Sequence, residues 1–289
     1  MTDPATDTAE LVAALRVATG PVDLSAIATD ATPGFDADKE AGEAALLSLG
    51  DELSELQERL FAEGKSGGAR SLLLVLQGMD TSGKGGTLRS TVGLMDPQGV
   101  RITSFKAPSE EERSHDFLWR ITNALPSPGY VGVFDRSHYE DVLIARVREL
   151  APAEEIERRY QAINEFEADL VSKGTRVVKC MLHISADEQK ERLLARLDDP
   201  TKYWKYNPGD VDERQLWPAY QEAYEIAIER THTEVAPWHV IPADRKWYRN
   251  LAIGELLLVG LQAMALEWPA ADFDVAVEEQ RLVDEDPIG

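Results

Sequence analysis

The sequence predicts an α/β fold: a five-stranded parallel sheet covered by helices on both faces. Three observations carry that expectation. Short apolar runs of strand length alternate with helical patterns from residue 71 to a last strand candidate at 238–242. The first run, Ser71–Gln77 (SLLLVLQ), is apolar without interruption, as a strand buried on both faces must be. A chain of 289 residues, 43% hydrophobic and 28% charged, is long enough and ordinary enough for one large domain with decorated ends.

Taken in order, residues 1–36 are rich in Ala, Thr, Asp and Pro with weak periodicity and read as an N-terminal arm. Residues 37–289 read as a single domain. From Asp38 to Glu63 the pattern turns helical, with Leu46, Leu49, Leu53, Leu56 and Leu60 on one stripe. That stripe reads as packing on the following domain, with a dimer seam as the alternative. Gly64–Gly68 ends the helix. After the first strand come a Gly-rich turn, a helix over Lys84–Leu94, a strand at Arg101–Phe105 and a helix over Ser109–Leu125. A third strand, Tyr130–Phe134, ends at Asp135. Helices follow around His138–Val147 and over Ala153–Ser172, then a strand at Arg176–Ile184 and a helix at Asp187–Leu197. Residues 198–216 read as an inserted mobile element. Trp238–Pro242 is the last strand, before a helix over Arg245–Glu267 and an acidic tail over about 268–289.

The formal net charge of -22 is unevenly spread. Residues 1–69 hold 14 acidic and 4 basic side chains, and residues 267–289 hold 8 and 1, so 70–266 is near balance. A broad basic face for nucleic acid is disfavoured, while a local cationic channel is compatible with this pattern. The single Cys180 excludes an internal disulfide framework and agrees with a reducing, cytoplasmic setting. The acidic N-terminal region gives Leu11–Ala18 no secretory flank. Leu251–Trp268, the longest apolar stretch, carries Glu255, Gln262 and Glu267 and reads as a core helix, with no membrane partner expected. The five histidines form no zinc-spaced cluster, and neither an Asn-Lys-x-Asp motif nor a hydrolase nucleophile elbow is present.

The chemistry concentrates in Gly78-Met79-Asp80-Thr81-Ser82-Gly83-Lys84, which fits G-x-x-x-x-G-K directly between a buried strand and a helix. Glycines let the backbone curl so that successive N–H groups face a phosphate, the helix N-terminus adds its dipole, and Lys84 adds a point charge. Gly85 stands where a magnesium-contacting Ser or Thr is usual, followed by Gly86 and Thr87. Either Thr87 takes that role or carboxylates hold the ion. Asp80, a carboxylate inside a phosphate loop, reads as functional, with a turn-forming Asp as the bland alternative.

Asp135 closes the third strand, where α/β folds place ligands, and Arg136 follows it with a fork suited to phosphate oxygens. The alternative is a capping Asp beside a surface Arg. Glu140 is either a site residue or a helix-surface charge. Between about 192 and 214 lie Arg192, Arg196, Lys202, Lys205 and Arg214, interleaved with Tyr203, Trp204 and Tyr206. Such a segment can close over a polyanion, or it is a solvated loop with Trp204 tucked into the core. Arg120, Lys106 and Arg89 are further candidate cations near the strand ends.

These residues resemble the polyphosphate kinase 2 family. The resemblance rests on Gly78–Gly86, on Phe134-Asp135-Arg136-Ser137-His138-Tyr139-Glu140-Asp141-Val142-Leu143, and on Asp199-Pro200-Thr201-Lys202-Tyr203-Trp204-Lys205, and covers roughly 40–268. It implies a P-loop kinase fold of the thymidylate-kinase-like type with a helical lid at about 198–216. It also implies Mg2+ dependence, homo-oligomers, and reversible phosphoryl transfer between inorganic polyphosphate and a nucleoside mono- or diphosphate. By matching position, Asp80 and Asp135 would handle magnesium and the reacting phosphates, and Lys84 and Arg136 would neutralise charge in flight. Gly78, Met79, Thr81, Ser82, Gly83, Gly85, Gly86 and Thr87 would cradle phosphate, with Arg192, Arg196 and Lys205 as lid or channel cations; Arg120, by its place near the strand ends, and Lys202, in the cation-rich segment, join them as candidate binding residues. The run Ser137–Leu143 looks closer to members acting on AMP as well as ADP. An ATP-dependent nucleotide kinase of the same fold and a non-catalytic P-loop module are the competing expectations.

Overall fold

The computed structural model describes residues 8–285. Of the expected arm and tail, residues 1–7 and 286–289 lie outside the described residues. Five strands, β1 Ser71–Gly78, β2 Val100–Ser104, β3 Val131–Asp135, β4 Thr175–His183 and β5 Trp238–Pro242, form one sheet in the order β2-β3-β1-β4-β5. Every neighbouring pair is parallel, as the alternation of strand and helix predicts. All eight residues of β1 are buried, which explains its unbroken apolar run.

Alternate β1 side chains serve two cores. Leu72, Leu74 and Leu76 pack with Leu46, Leu53, Leu60, Leu251 and Leu257 on one face. Leu73 and Val75 pack with Ile156, Ile163, Ala227 and Ile228 on the other. Each such leucine contributes about 1.5–3 kcal/mol by leaving water. The leucine stripe therefore packs on its own domain: Leu53 and Leu60 are fully buried, and Leu49 and Leu56 are half-buried against the same core. Its helix is interrupted once, giving Lys39–Ser48, capped by Asp38 accepting from Ala41 N, and Gly50–Lys65.

The segment expected as an arm is not irregular throughout. Thr8–Leu15 is helical and buries Leu11 and Leu15, and Val17 N donates to Trp238 O beside the edge of β5. Two helices expected to be continuous are broken, because side chains offer the backbone a competing partner. Asp116 accepts from Leu118 N between Glu110–Arg113 and Trp119–Ala124. Ser137 accepts from Tyr139 N at the start of a 3-10 turn, His138–Asp141, before Ile144–Val147. The segment 198–216 holds a 3-10 turn, Pro200–Lys205, and a short helix, Gly209–Arg214. A helix, Trp217–Thr231, then packs Ala223, Tyr224, Ala227 and Ile228 into the core on one face of the sheet, with no counterpart in the sequence reading. Val275–Glu285 is helical and buries no residue. No helix among the described residues is long and apolar enough to cross a membrane.

Candidate active site

The chain leaves β1 for edge strand β2, returns as β3 beside β1, and then continues on β1's other flank as β4. The carboxyl end of β1 is thus the point where strand order reverses, the place where such sheets bind ligands. Register sets Asp135 of β3 level with Leu76 of β1, two residues before the loop begins.

The loop from Gly78 to Lys84 is curled by positive φ at Gly78, Thr81 and Gly83. All five carbonyls from Gly78 to Ser82 are held by side chains. Lys84 Nζ donates to Gly78 O at 2.8 Å and to Met79 O at 3.4 Å. Gln189 Nε2 donates to Asp80 O at 2.9 Å. Arg192 Nη1 donates to Thr81 O and Ser82 O at 2.9 and 3.1 Å, and Arg249 Nη1 reaches Ser82 O at 3.3 Å. Gly86 N and Thr87 N donate to Gly83 O, while the amides of Lys84 and Gly85, which head the helix Lys84–Ser90, have no backbone acceptor among the described residues. This is the geometry of an anion cradle.

Arg136 sits across from the loop with φ +64, and its Nη2 donates to Asp80 Oδ1 at 2.8 Å. Burial works against the Arg136 charge, but Glu140 and Asp80 outweigh it and raise its pKa. Burial lowers the pKa of Lys84, reinforced by Arg136 and opposed by Asp80, Asp135 and Glu140. Burial raises Glu140 despite Arg136 and Lys84 nearby. Glu140 is therefore half-buried at the site and not a helix-surface charge. Two cavities meet at Arg136 and Glu140. One, about 260 Å³, lies between the loop and the segment after 198, against Tyr220 and Tyr224. The other, about 730 Å³, is lined by Lys106, Arg113, Arg120 and Arg159.

The structure gathers Gly78, Met79, Asp80, Lys84, Asp135 and Arg136, but it scatters the lid cations. Arg192 is buried beneath the loop, donating also to Ala243 O and Asp244 O and paired with Glu188. Arg196 pairs with Asp210 at 3.6 Å and donates to Lys205 O, Lys202 pairs with Asp199 at 2.9 Å, and Lys205 lies over Trp204. Trp204 is 78% exposed, so it is not tucked into the core. The lid residues that do line the smaller cavity are Asn207, Gly209, Asp210 and Glu213. Arg120 is buried, donating to Lys106 O and paired with Asp141, on the larger cavity. Thr81 Oγ1, Ser82 Oγ and Thr87 Oγ1 are buried with no hydrogen-bond partner among the described residues. Gly85 faces open space, whereas a Cβ on Gly86 would meet Arg249 Nη2 at 2.8 Å.

Sequence reasoning missed Gln189, Arg249 and Tyr224. The one available signal was an arginine inside the apolar helix Lys246–Gln262, where a cation is costly without a purpose.

Among the described residues no group of three or more His, Cys, Asp or Glu side chains forms a metal cage. Magnesium does not need one, because it is commonly held by one or two carboxylates with substrate phosphates and water. Among the described residues the Asp135 carboxylate accepts only from Ser104 Oγ, at 3.4 Å, and Asp80 Oδ2 has no hydrogen bond to a described residue. This donor set fits that ion.

A phosphate loop on the central strand, facing an arginine and a carboxylate at the next strand's end, defines a P-loop kinase-like phosphotransferase. The family profile described as polyphosphate kinase 2 matches residues 36–268, and the chain belongs to that family. It is 46% identical to an AMP/ADP-polyphosphate phosphotransferase of Meiothermus ruber, over 86% of this chain and 92% of the relative. It is 38% identical to an ADP-polyphosphate phosphotransferase of Rhodopseudomonas palustris, over 86% and 88%. The crystal structure of polyphosphate kinase 2 from Arthrobacter aurescens TC1 superposes with a TM-score of 0.92 at 55% identity, covering 97% of this chain and 98% of that one.

Proposed function

We propose that this enzyme transfers a phosphoryl group between inorganic polyphosphate and a nucleoside mono- or diphosphate, with magnesium bound by Asp80 and Asp135. The observation that carries the reading is the meeting of two cavities at Arg136 and Glu140, beside a loop whose carbonyls from Gly78 to Ser82 are all engaged by side chains. Their junction gives donor and acceptor phosphates a place to approach each other from opposite sides. Phosphoryl transfer spreads charge over equatorial oxygens, so the protein's task is alignment and neutralisation. Loop amides and Lys84 hold one phosphate, and Arg136 spans the junction to bind the oxygens in transfer. Tyr220, Tyr224 and the segment over Asn207–Glu213 narrow the cleft against water. Asp80 and Asp135 would hold the magnesium, which would supply positive charge to neutralise phosphate oxygens.

Both AMP and ADP serve as acceptors in this reading, which the name of the Meiothermus ruber relative supports. The protein works in the cytoplasm as a homo-oligomer. The buried, unpaired Cys180 supports the first point, and the family resemblance supports the second. The test is incubation with magnesium, polyphosphate and AMP or ADP in the absence of ATP. New ADP or ATP is expected, and a chelator abolishes it. Product formed only when ATP is the donor would overturn the reading in favour of an ATP-dependent nucleotide kinase.

A further inference from the structure

A second polar cluster lies behind the site and makes no contact with either cavity. Glu167, on the helix Ala153–Ser172, and Lys179, on β4, pair at 2.6 Å with 1% and 0% of their side chains exposed. Lys179 spends its three N–H groups on Glu167 Oε2, Tyr139 Oη at 3.0 Å and Thr231 O at 2.8 Å. Glu167 Oε1 accepts from Tyr139 Oη at 2.8 Å and lies 3.2 Å from His138 Nε2. Burial opposes the Glu167 charge, but Lys179 and His138 hold its carboxyl below the ordinary range. A buried pair of this kind is poor evidence for stability, since well-packed apolar residues serve as well or better. Its position suggests another use.

His138 and Tyr139 are the two residues between Arg136-Ser137 and Glu140. Arg136 holds φ +64, a conformation a side-chain-bearing residue keeps only when its surroundings over-determine it. On one side it is fixed by Arg136 N donating to Leu76 O at 3.0 Å. On the other, the chain is hooked by Ser137 Oγ, which accepts from Tyr139 N and Gln77 Nε2, and by both rings gripping one carboxylate oxygen. Among the described residues, Glu167 is thus the one side chain to which the rings of both His138 and Tyr139 are hydrogen-bonded.

We infer that the Glu167–Lys179 pair is a positioning device: it anchors His138 and Tyr139 so that the strained Arg136 turn aims its guanidinium, and Glu140 its carboxylate, at the junction of the two cavities. Neither Glu167 nor Lys179 touches substrate. The inference rests on the proposed phosphoryl transfer for its kinetic consequence, but not for its structural one.

The test uses the full chain with the double variant Glu167→Leu/Lys179→Met, which removes the anchoring oxygen and leaves neither partner of the ion pair buried alone. Tyr139→Phe, which removes a single oxygen, is the second variant and carries the same comparison should the first fail to fold. Hydrogen–deuterium exchange over residues 135–142 needs no substrate. Faster exchange there in the variant is expected, and unchanged exchange overturns the inference even in a protein inactive toward polyphosphate. Turnover supplies the second readout. In the otherwise native chain the variant lowers kcat about tenfold, while in an Arg136→Ala background it changes kcat less than twofold. A merely structural role would cost the same factor in both backgrounds, and that result would overturn the positioning role. Absence of turnover in the native chain would count against the proposed reaction, with the exchange result still deciding the anchor.

Discussion

The glycine pair after Lys84 sets up a double-substitution cycle between Gly86 and Arg249. Gly86 lies in the first turn of Lys84–Ser90, where alanine is favoured over glycine by about 1 kcal/mol. A Cβ there would stand 2.8 Å from Arg249 Nη2, well inside the 3.4 Å where ordinary contact begins. Arg249 is 3% exposed, donates Nη1 to Ser82 O, and anchors Nε and Nη2 on Asn250 Oδ1. Moving it aside loosens the Ser82 contact, and a hydrogen bond from a charged donor is worth about 1.5–3 kcal/mol. Gly86→Ala should therefore be neutral or destabilising in the native chain. After Arg249→Met the helix gain of about 1 kcal/mol should appear. The expected coupling is about 1–2 kcal/mol, read as urea midpoints at constant m for the four proteins. Transfer activity should fall in Gly86→Ala as well, because the Ser82 carbonyl is one of those engaged by side chains. Effects that add to within about 0.5 kcal/mol would show that Arg249 does not require glycine at this position.

Leu53→Ala, at a fully buried position between the helix Gly50–Lys65 and the sheet, should cost about 2–5 kcal/mol in urea unfolding, independent of protein concentration. A concentration-dependent loss would point to a subunit seam instead. Glu140→Gln should raise the melting temperature at neutral pH while lowering turnover. Burial lifts the folded pKa of Glu140 above its ordinary 4.5, so its contribution is fully present below that value and is lost as pH rises. The substitution should accordingly leave stability near pH 4 little changed, and equal shifts at both pH values would contradict it. His239, buried against Lys179 O, is lowered by burial from 6.5 to about 4, so its contribution is present above pH 6.5 and lost as pH falls toward 4. At about 1.4 kcal/mol per pH unit this amounts to about 3 kcal/mol, and the non-titrating His239→Gln should flatten that acid limb of the stability curve.

The parts of the molecule legible in the sequence are those whose physics is local. β1 and β5 are buried on both faces, so their apolar runs mark them, and Ala153–Ser172 keeps one periodicity over its full length. Helices were overextended where a single side chain, Asp116 or Ser137, captures a backbone amide, since composition barely records such a competition. Trp217–Thr231 buries one face, Ala223, Tyr224, Ala227 and Ile228, but its polar and apolar residues are only weakly separated along the sequence, and it was invisible for that reason. The active site divides along the same line. The loop and the Asp135-Arg136 strand end are contiguous motifs, and both lie where the strand order reverses. What holds the loop open is not contiguous: Gln189, Arg192 and Arg249 arrive from more than 100 residues away and recognise backbone carbonyls, which have no residue identity to pair with. Arg192 shows the consequence. Its charge and its neighbours suggested a lid cation, yet its guanidinium is spent on four carbonyls and Glu188 below the cradle. The phosphate loop is thus two layers. The visible one is the glycines and Lys84, whose ammonium also holds Gly78 O and Met79 O; the other is Gln189 and a pair of buried guanidiniums, which fix the carbonyls of Asp80, Thr81 and Ser82. Each guanidinium also adds positive charge beneath a site that must hold a polyanion. Burial, reinforced by Arg192, pulls Arg249 down to about 10, which still leaves it charged at neutral pH. The strongly acidic ends of the chain do not cancel that field, because exposed charges beyond about 8–10 Å are screened while buried ones are not.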